Sequence, residues 1–251
     1  MSKYFLPKFD MRDYVDLLIS LKIEGYIFKK IIEKDVTGKH IYLRHDIDYF
    51  LWPAETVAFI ERELNIFSTF YILISTYDIL SYKNRKLISD ISNMGHEIGL
   101  HYDMSKYPSE DEKCVKQFKF ECEIIEQITQ KPVKTATCHL PHKKNTNIFD
   151  SITINPFSVN YLKDMAYISD SARAWRDKTI LSCFMNDPPK QIVFNMHPET
   201  WLDSSVKNRI SYLYQYILPE IKKESGELCK KWLDIFYKHD GGKLHDEREK
   251  K

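Results

Sequence analysis

His40-Ile-Tyr-Leu-Arg-His-Asp-Ile-Asp48 opens as a short apolar strand and closes on a run of ionisable residues. In an extended segment, residues i and i+2 point the same way. Asp46 and Asp48 therefore present two carboxylates side by side. Such a pair suits metal-assisted hydrolysis, where one carboxylate ligates and the other takes a proton from water. The plainer reading is an Asx-turn closing a strand. Arg44 and His45 weigh against it, because so many ionisable residues at one strand end are hard to justify by packing.

The same placement recurs along the chain. Ser68-Thr-Phe-Tyr-Ile-Leu-Ile74 reads as a buried β-branched and aromatic strand. Glu97-Ile-Gly-Leu100 is a strand with His101 at its end and Asp103 two residues on. Imidazole plus carboxylate is a ligand set for Zn²⁺ or a similar divalent ion. Gln191-Ile-Val-Phe-Asn-Met196 ends at His197, placed to act as a general acid. His96, at a strand start, reads as structural. Val133 to Cys138 is a further strand, followed by His139 and His142. Shorter strands are predicted around 166–168 and 180–181.

Helices are predicted between these strands: Tyr14 to Lys22, Ala54 to Leu64 after Pro53, Arg85 to Met94, Glu110 to Gln130, and about 204–237. Alternating strands and helices imply parallel strands joined by helical crossovers. The C-terminal ends of such strands converge on one face. Asp46, Asp48, His101, Asp103 and His197, distant in sequence, thus become one constellation. The expected organisation is a single domain over 1–251, with a helical lead-in to about 38 and a charged tail from about 239.

Composition narrows the class. The chain has 251 residues, 43% hydrophobic and 29% charged, which suits one α/β barrel-sized unit. Its net charge of +1 gives no basic excess for a nucleic-acid partner. No apolar run approaches the ~18 residues of a membrane span, and Met1 to Asp10 forms no signal peptide. The five cysteines lack metal-type pairing and read as reduced thiols. A cytoplasmic protein is expected, acting on a biosynthetic substrate.

These residues carry a resemblance. Leu43-Arg-His-Asp-Ile-Asp-Tyr49 resembles the first motif of the polysaccharide deacetylase (NodB-homology) superfamily. Ser68-Thr-Phe-Tyr-Ile72 is similar to the strand that follows it. Gly95-His-Glu-Ile-Gly-Leu-His101 resembles the second motif, whose final His is a metal ligand. Thr137-Cys-His-Leu-Pro141 and Ser169 to Trp175 fall where the third and fourth motifs do. Phe194-Asn-Met-His-Pro198 resembles the fifth. The pattern is most like an atypical branch linked to surface-polysaccharide biosynthesis.

The resemblance implies a distorted (β/α) barrel of about seven parallel strands with one divalent ion, Zn or else Mn, Fe or Co. It implies deacylation of an amino sugar or glycan intermediate, with Asp46 as base, Asp48 and His101 as ligands and His197 as acid. Two departures follow. Ser105 stands where the family has a third ligand, and His139 stands near the place of an Arg. The replacement ligand is expected to be Asp103, with His139 as rival. Arg44, His45, His139, Asp170 and Arg173 are candidates to orient substrate or carboxylates, and Trp175 to wall a sugar pocket. The competing function is a catalytically inactive protein of the same fold that binds a sugar or an assembly partner.

Overall fold

The computed structural model describes residues 6–35, 37–140, 147–206 and 209–223, with Gly226 and Lys230. His142, Cys229 and the charged tail lie outside the described residues. The chain forms two compact units, Met1–Ser205 and Val206–Lys251. In the second, the described residues are helical: α6 (Arg209–Tyr212) runs into one π turn, Leu213–Ile217.

The first unit holds every described strand. In chain order it contains α1 (Met11–Ile23), β1 (Ile27–Lys29), β2 (His40–Ile47), α2 (Trp52–Glu63), β3 (Thr69–Leu73), α3 (Tyr82–Asn93) and β4 (Glu97–Tyr102). Then come α4 (Asp111–Thr129), β5 (Ala136–Cys138), α5 (Val159–Leu162), β6 (Ala166–Ser169) and β7 (Gln191–Met196). All pairings are parallel, in the order β5-β4-β3-β2-β7-β6. β7 runs along one edge of β2 from His40 to His45. The other edge is shared, β1 pairing with His40–Tyr42 and β3 with Arg44–Ile47. β1 is too short to show in the sequence pattern. The strand expected at 180–181 is instead part of a 3-10 run, Arg176–Phe184. Its apolar signal came from Ile180, which is buried without pairing.

The two faces of β2 explain the sheet. Ile41, Leu43 and Ile47 join the main apolar core beneath the helices. Tyr42 faces the other way, packing with Ile31, Tyr71, Tyr161 and Val193. By strand alternation Arg44 and Asp46 share the Tyr42 side. β2 and β5 stand three spacings apart, about 14 Å in a flat sheet. Yet Asp48 beyond β2 and His139 beyond β5 approach to 3.4 Å. The sheet is curled into a half-barrel with Arg44 and Asp46 inside it. Gly99 on β4 permits this interior packing, since a Cβ there would lie 2.5 Å from the Tyr71 ring.

α1 buries Tyr14, Leu17, Leu18 and Leu21, one helical stripe, and is capped by Asp10, which accepts from the Asp13 amide. On the helix side of the sheet, Glu61 of α2 is fully buried. It accepts from Tyr14 Oη and Ser68 Oγ and lies 2.7 Å from His45 Nε2. Burial raises the Glu61 carboxyl, but His45 beside it holds it below the ordinary glutamate value. Its contribution to stability is therefore present above the unfolded value of about 4.3 and is lost as pH falls below that. Glu61→Leu would strand several buried polar groups at once. A loss of about 3–5 kcal/mol is expected at neutral pH, read as a lower urea midpoint by circular dichroism. A shift under about 1 kcal/mol would mean that this network does not tie α1 and α2 to the sheet.

Candidate metal centre

The strand ends deliver their side chains to one place. Asp48 follows β2, His101 lies near the end of β4 and His139 follows β5. Asp48 Oδ1 is 3.4 Å from His101 Nε2 and 3.4 Å from His139 Nδ1. The ligand atoms of these three residues all lie within 4.8 Å of one another. The His101 and His139 rings meet edge to face at 5.3 Å.

His101 is oriented from behind. Its Nδ1 lies 2.9 Å from the Thr137 carbonyl on β5, an acceptor only. That carbonyl holds the ring by Nδ1 and turns Nε2 toward Asp48. Asp48 Oδ1 is buried with no hydrogen-bond partner among the described residues. Burial would raise the Asp48 carboxyl, but the imidazoles of His101, His139 and His197 hold it well below the usual carboxylate range. Lone pairs thus converge from a carboxylate and two imidazoles, an arrangement that a divalent cation satisfies. The residues present fit the ion that the sequence implied.

Asp103 is not in this group. β4 ends at Tyr102, and Asp103 caps the 3-10 turn Met104–Lys106 by accepting from the Ser105 amide at 2.8 Å. Its backbone is still extended, but its carboxylate turns onto its own loop and is spent on the Ser105 amide. His139 completes the group in its place.

Asp46 sits deeper in the curl. Its Oδ1 accepts from Arg44 Nε and Nη2 at 3.1 and 2.7 Å. Its Oδ2 accepts from Arg44 Nη2 at 2.6 Å and from Asn195 Nδ2 at 3.0 Å. Arg44 is itself packed between the rings of Tyr71 and Phe157. Burial acts most strongly, to raise the Asp46 carboxyl, but Arg44 together with His101 and His197 outweighs it and lowers the value. Arg44 thus orients a carboxylate, as the sequence suggested. His45 does not, because it faces the helices and Glu61.

His197 approaches from the opposite side, with Nε2 4.0 Å from Asp48 Oδ2. Asp170 grips it from behind: Oδ1 lies 2.6 Å from His197 Nδ1, and Oδ2 accepts the His197 amide at 3.0 Å. Trp201 Nε1 donates to the same Oδ2 at 2.7 Å. Burial lowers the His197 value, but the buried Asp170 carboxylate more than reverses this and carries it up to about 10.

Arg173 and Trp175 serve elsewhere. The Arg173 guanidinium donates to the carbonyls of Thr200, Phe9 and Asp203. Trp175 stacks on Phe9 and donates to the Pro7 carbonyl. Its ring also packs near Phe194 and Trp201, partly buried against the core. Both contacts reach back to the N-terminal segment, which no local pattern announces.

Two residues of the site escaped the sequence reading. Asn195 supports Asp46, and the signal was an amide inside an otherwise apolar strand. Glu199 is fully buried, and its Oε1 accepts the Asp48 amide at 2.8 Å, pinning the turn that carries Asp48. Burial and then the Asp48 charge push its carboxyl up to about 8.

No family model matches the chain, and no curated protein does. Solved structures do. The structure matches members of carbohydrate esterase family 4. A CE4 family pseudoenzyme from Bacillus anthracis is 14% identical, with a TM-score of 0.46 over 76% of this chain and 63% of its own. The chain thus spans less than two thirds of that protein's length. A family 4 carbohydrate esterase from the same organism is 18% identical, with a TM-score of 0.45 over 84% and 86%. The polysaccharide deacetylase Bc1974 from Bacillus cereus is 13% identical, with a TM-score of 0.47 over 72% and 88%.

Proposed function

We propose that this chain is a metal-dependent hydrolase that removes an acetyl or other acyl group from an amino sugar or glycan intermediate. The observation that carries the reading is the convergence of Asp48, His101 and His139, with Asp46 below and the His197–Asp170 pair opposite. Three protein ligands with a position left for solvent is the form of a catalytic zinc site. Two imidazoles and one carboxylate favour Zn²⁺, with Mn²⁺, Fe²⁺ or Co²⁺ as alternatives. The chemistry such an ion supplies is polarisation of the acyl carbonyl and a lowered pKa for water.

The protein's own groups do the rest. Asp46, fixed by Arg44 and Asn195, takes the proton of the attacking water. His197, held by the buried Asp170, delivers its Nε2 proton to the departing amine. Asp170 holds the ring in line and stabilises the imidazolium. The cytoplasmic placement expected from the sequence directs this activity to a nucleotide-linked or lipid-linked amino sugar.

One observation favours the second reading, an inactive sugar-binding protein of the same fold. Both Asp46 oxygens already accept hydrogen bonds from Arg44 and Asn195, which blunts a base. Acetate release from N-acetylated nucleotide-linked and lipid-linked sugars, measured on zinc-loaded and chelator-treated protein, separates the two. Zinc-dependent release is expected. Sugar binding without release would leave the inactive reading.

His197→Ala should lower kcat by about 10²-fold and shift KM only a few-fold, since a proton donor acts in the transition state. The loss stays at the low end because water can also protonate a leaving amine. A raised KM with unchanged kcat in steady-state kinetics would make His197 a binding residue.

A further inference from the structure

Trp175, read from the sequence as an aromatic wall, packs against Phe9 and Trp201. The connection that follows Asp48 supplies another. Four residues beyond Asp48, Trp52 opens α2 at the strand-end side of the half-barrel. It is 41% exposed, unusual for the largest side chain. The other described tryptophans, Trp175 and Trp201, are held in a cluster with Phe9. Trp52 is nonetheless not loose. Its ring stacks on Phe50, with centroids 5.9 Å apart and planes 12° from parallel. Phe50 is only 2% exposed, and Leu51 and Pro53 on either side of Trp52 are buried. The backing ring anchors one face of the indole and leaves the remainder to solvent.

The anchor is tied to the catalytic residues through short connections. Four residues of chain span at most about 14 Å, so Trp52 lies within one or two sugar rings of Asp48. α2 also packs on the turn Pro198–Thr200, immediately after His197. A rigid, half-exposed indole on the connection that leaves Asp48 is a flat apolar surface with a fixed orientation. A pyranose ring offers the complementary shape, with an apolar face of C–H groups and a rim of hydroxyls.

We infer that Trp52, backed by Phe50, is a platform on which a pyranose ring of the substrate stacks, holding the acylated sugar over the Asp48–His101–His139 centre. This rests on the proposed amino-sugar hydrolase reading and adds a subsite to it.

The test uses binding, so that it is independent of turnover. Wild type, Trp52→Ala and Trp52→Phe are titrated calorimetrically with the β-1,4-linked tetramer of N-acetylglucosamine and with UDP-N-acetylglucosamine. Zinc content by elemental analysis verifies an intact centre in each variant. Trp52→Ala is expected to weaken sugar binding about tenfold, and Trp52→Phe to restore most of it. A sugar-induced change in indole fluorescence should be present in wild type and absent from Trp52→Phe. Equal affinity in Trp52→Ala and wild type overturns the platform and leaves the hydrolase reading standing. If Trp52→Ala keeps sugar affinity but abolishes self-association in sedimentation velocity, the face joins copies of the chain and the platform is overturned. Failure of wild type to bind either sugar overturns both the platform and the amino-sugar substrate class.

Discussion

Asp46→Asn is expected to cut turnover by about 10²–10⁴-fold while the centre still takes up zinc. Asp46 lies outside the ligand group, so its loss removes a proton acceptor and not a metal contact. The amide keeps the size of the carboxylate and one of its oxygens. It cannot accept from both Arg44 and Asn195 as before, so the buried Arg44 guanidinium loses part of its compensation. Some destabilisation is therefore expected alongside the catalytic loss. Metal content separates the two effects, because a collapsed interior would release zinc and a missing base would not. Loss of zinc together with unimpaired residual turnover would exchange the roles of Asp46 and Asp48.

His139→Ala should abolish stoichiometric zinc binding, and Asp103→Ala should leave it intact. The physical ground is the geometry at Asp48 Oδ1, which has imidazole nitrogens 3.4 Å away on two sides. Asp103 spends its carboxylate on the Ser105 amide. Removal of a ligand costs more than the 10–100-fold in affinity typical of a supporting residue. Asp103→Ala falls at most in that milder range, since its charge lies near His139. Elemental analysis after dialysis against a weak chelator reads both. Retained zinc in His139→Ala with loss in Asp103→Ala would restore the third ligand to Asp103.

Much of this arrangement was legible before any coordinates. Apolar runs ending in ionisable residues located the functional ends of β2, β4 and β7, because a parallel sheet gathers those ends on one side. Asp46, Asp48, His101 and His197 were found that way. Asp103 was misplaced because its carboxylate caps the next turn at the Ser105 amide, a local bond that alternation does not foresee. His139 was ranked behind Asp103, since its nearness to Asp48 depends on the curl of the sheet across three strand spacings. Arg173 and Trp175 were read as site residues from a loop, whereas their partners are Pro7 and Phe9, more than 160 positions away. Glu199 gave no pattern beyond a lone carboxylate after His-Pro. Its role appears only when the Asp48 amide is seen to donate to it. The division at Ser205 was equally silent, because no Gly- or Pro-rich linker marks it.

Whether Asp48, His101 and His139 together hold the metal is read most directly by anomalous diffraction above and below the zinc absorption edge, on crystals grown from zinc-loaded protein. One peak is expected about 2.0–2.2 Å from Asp48, His101 and His139 together. A peak ligated by Asp103 in place of His139, or no peak at all from protein that still releases acetate from an N-acetylated sugar, would contradict it.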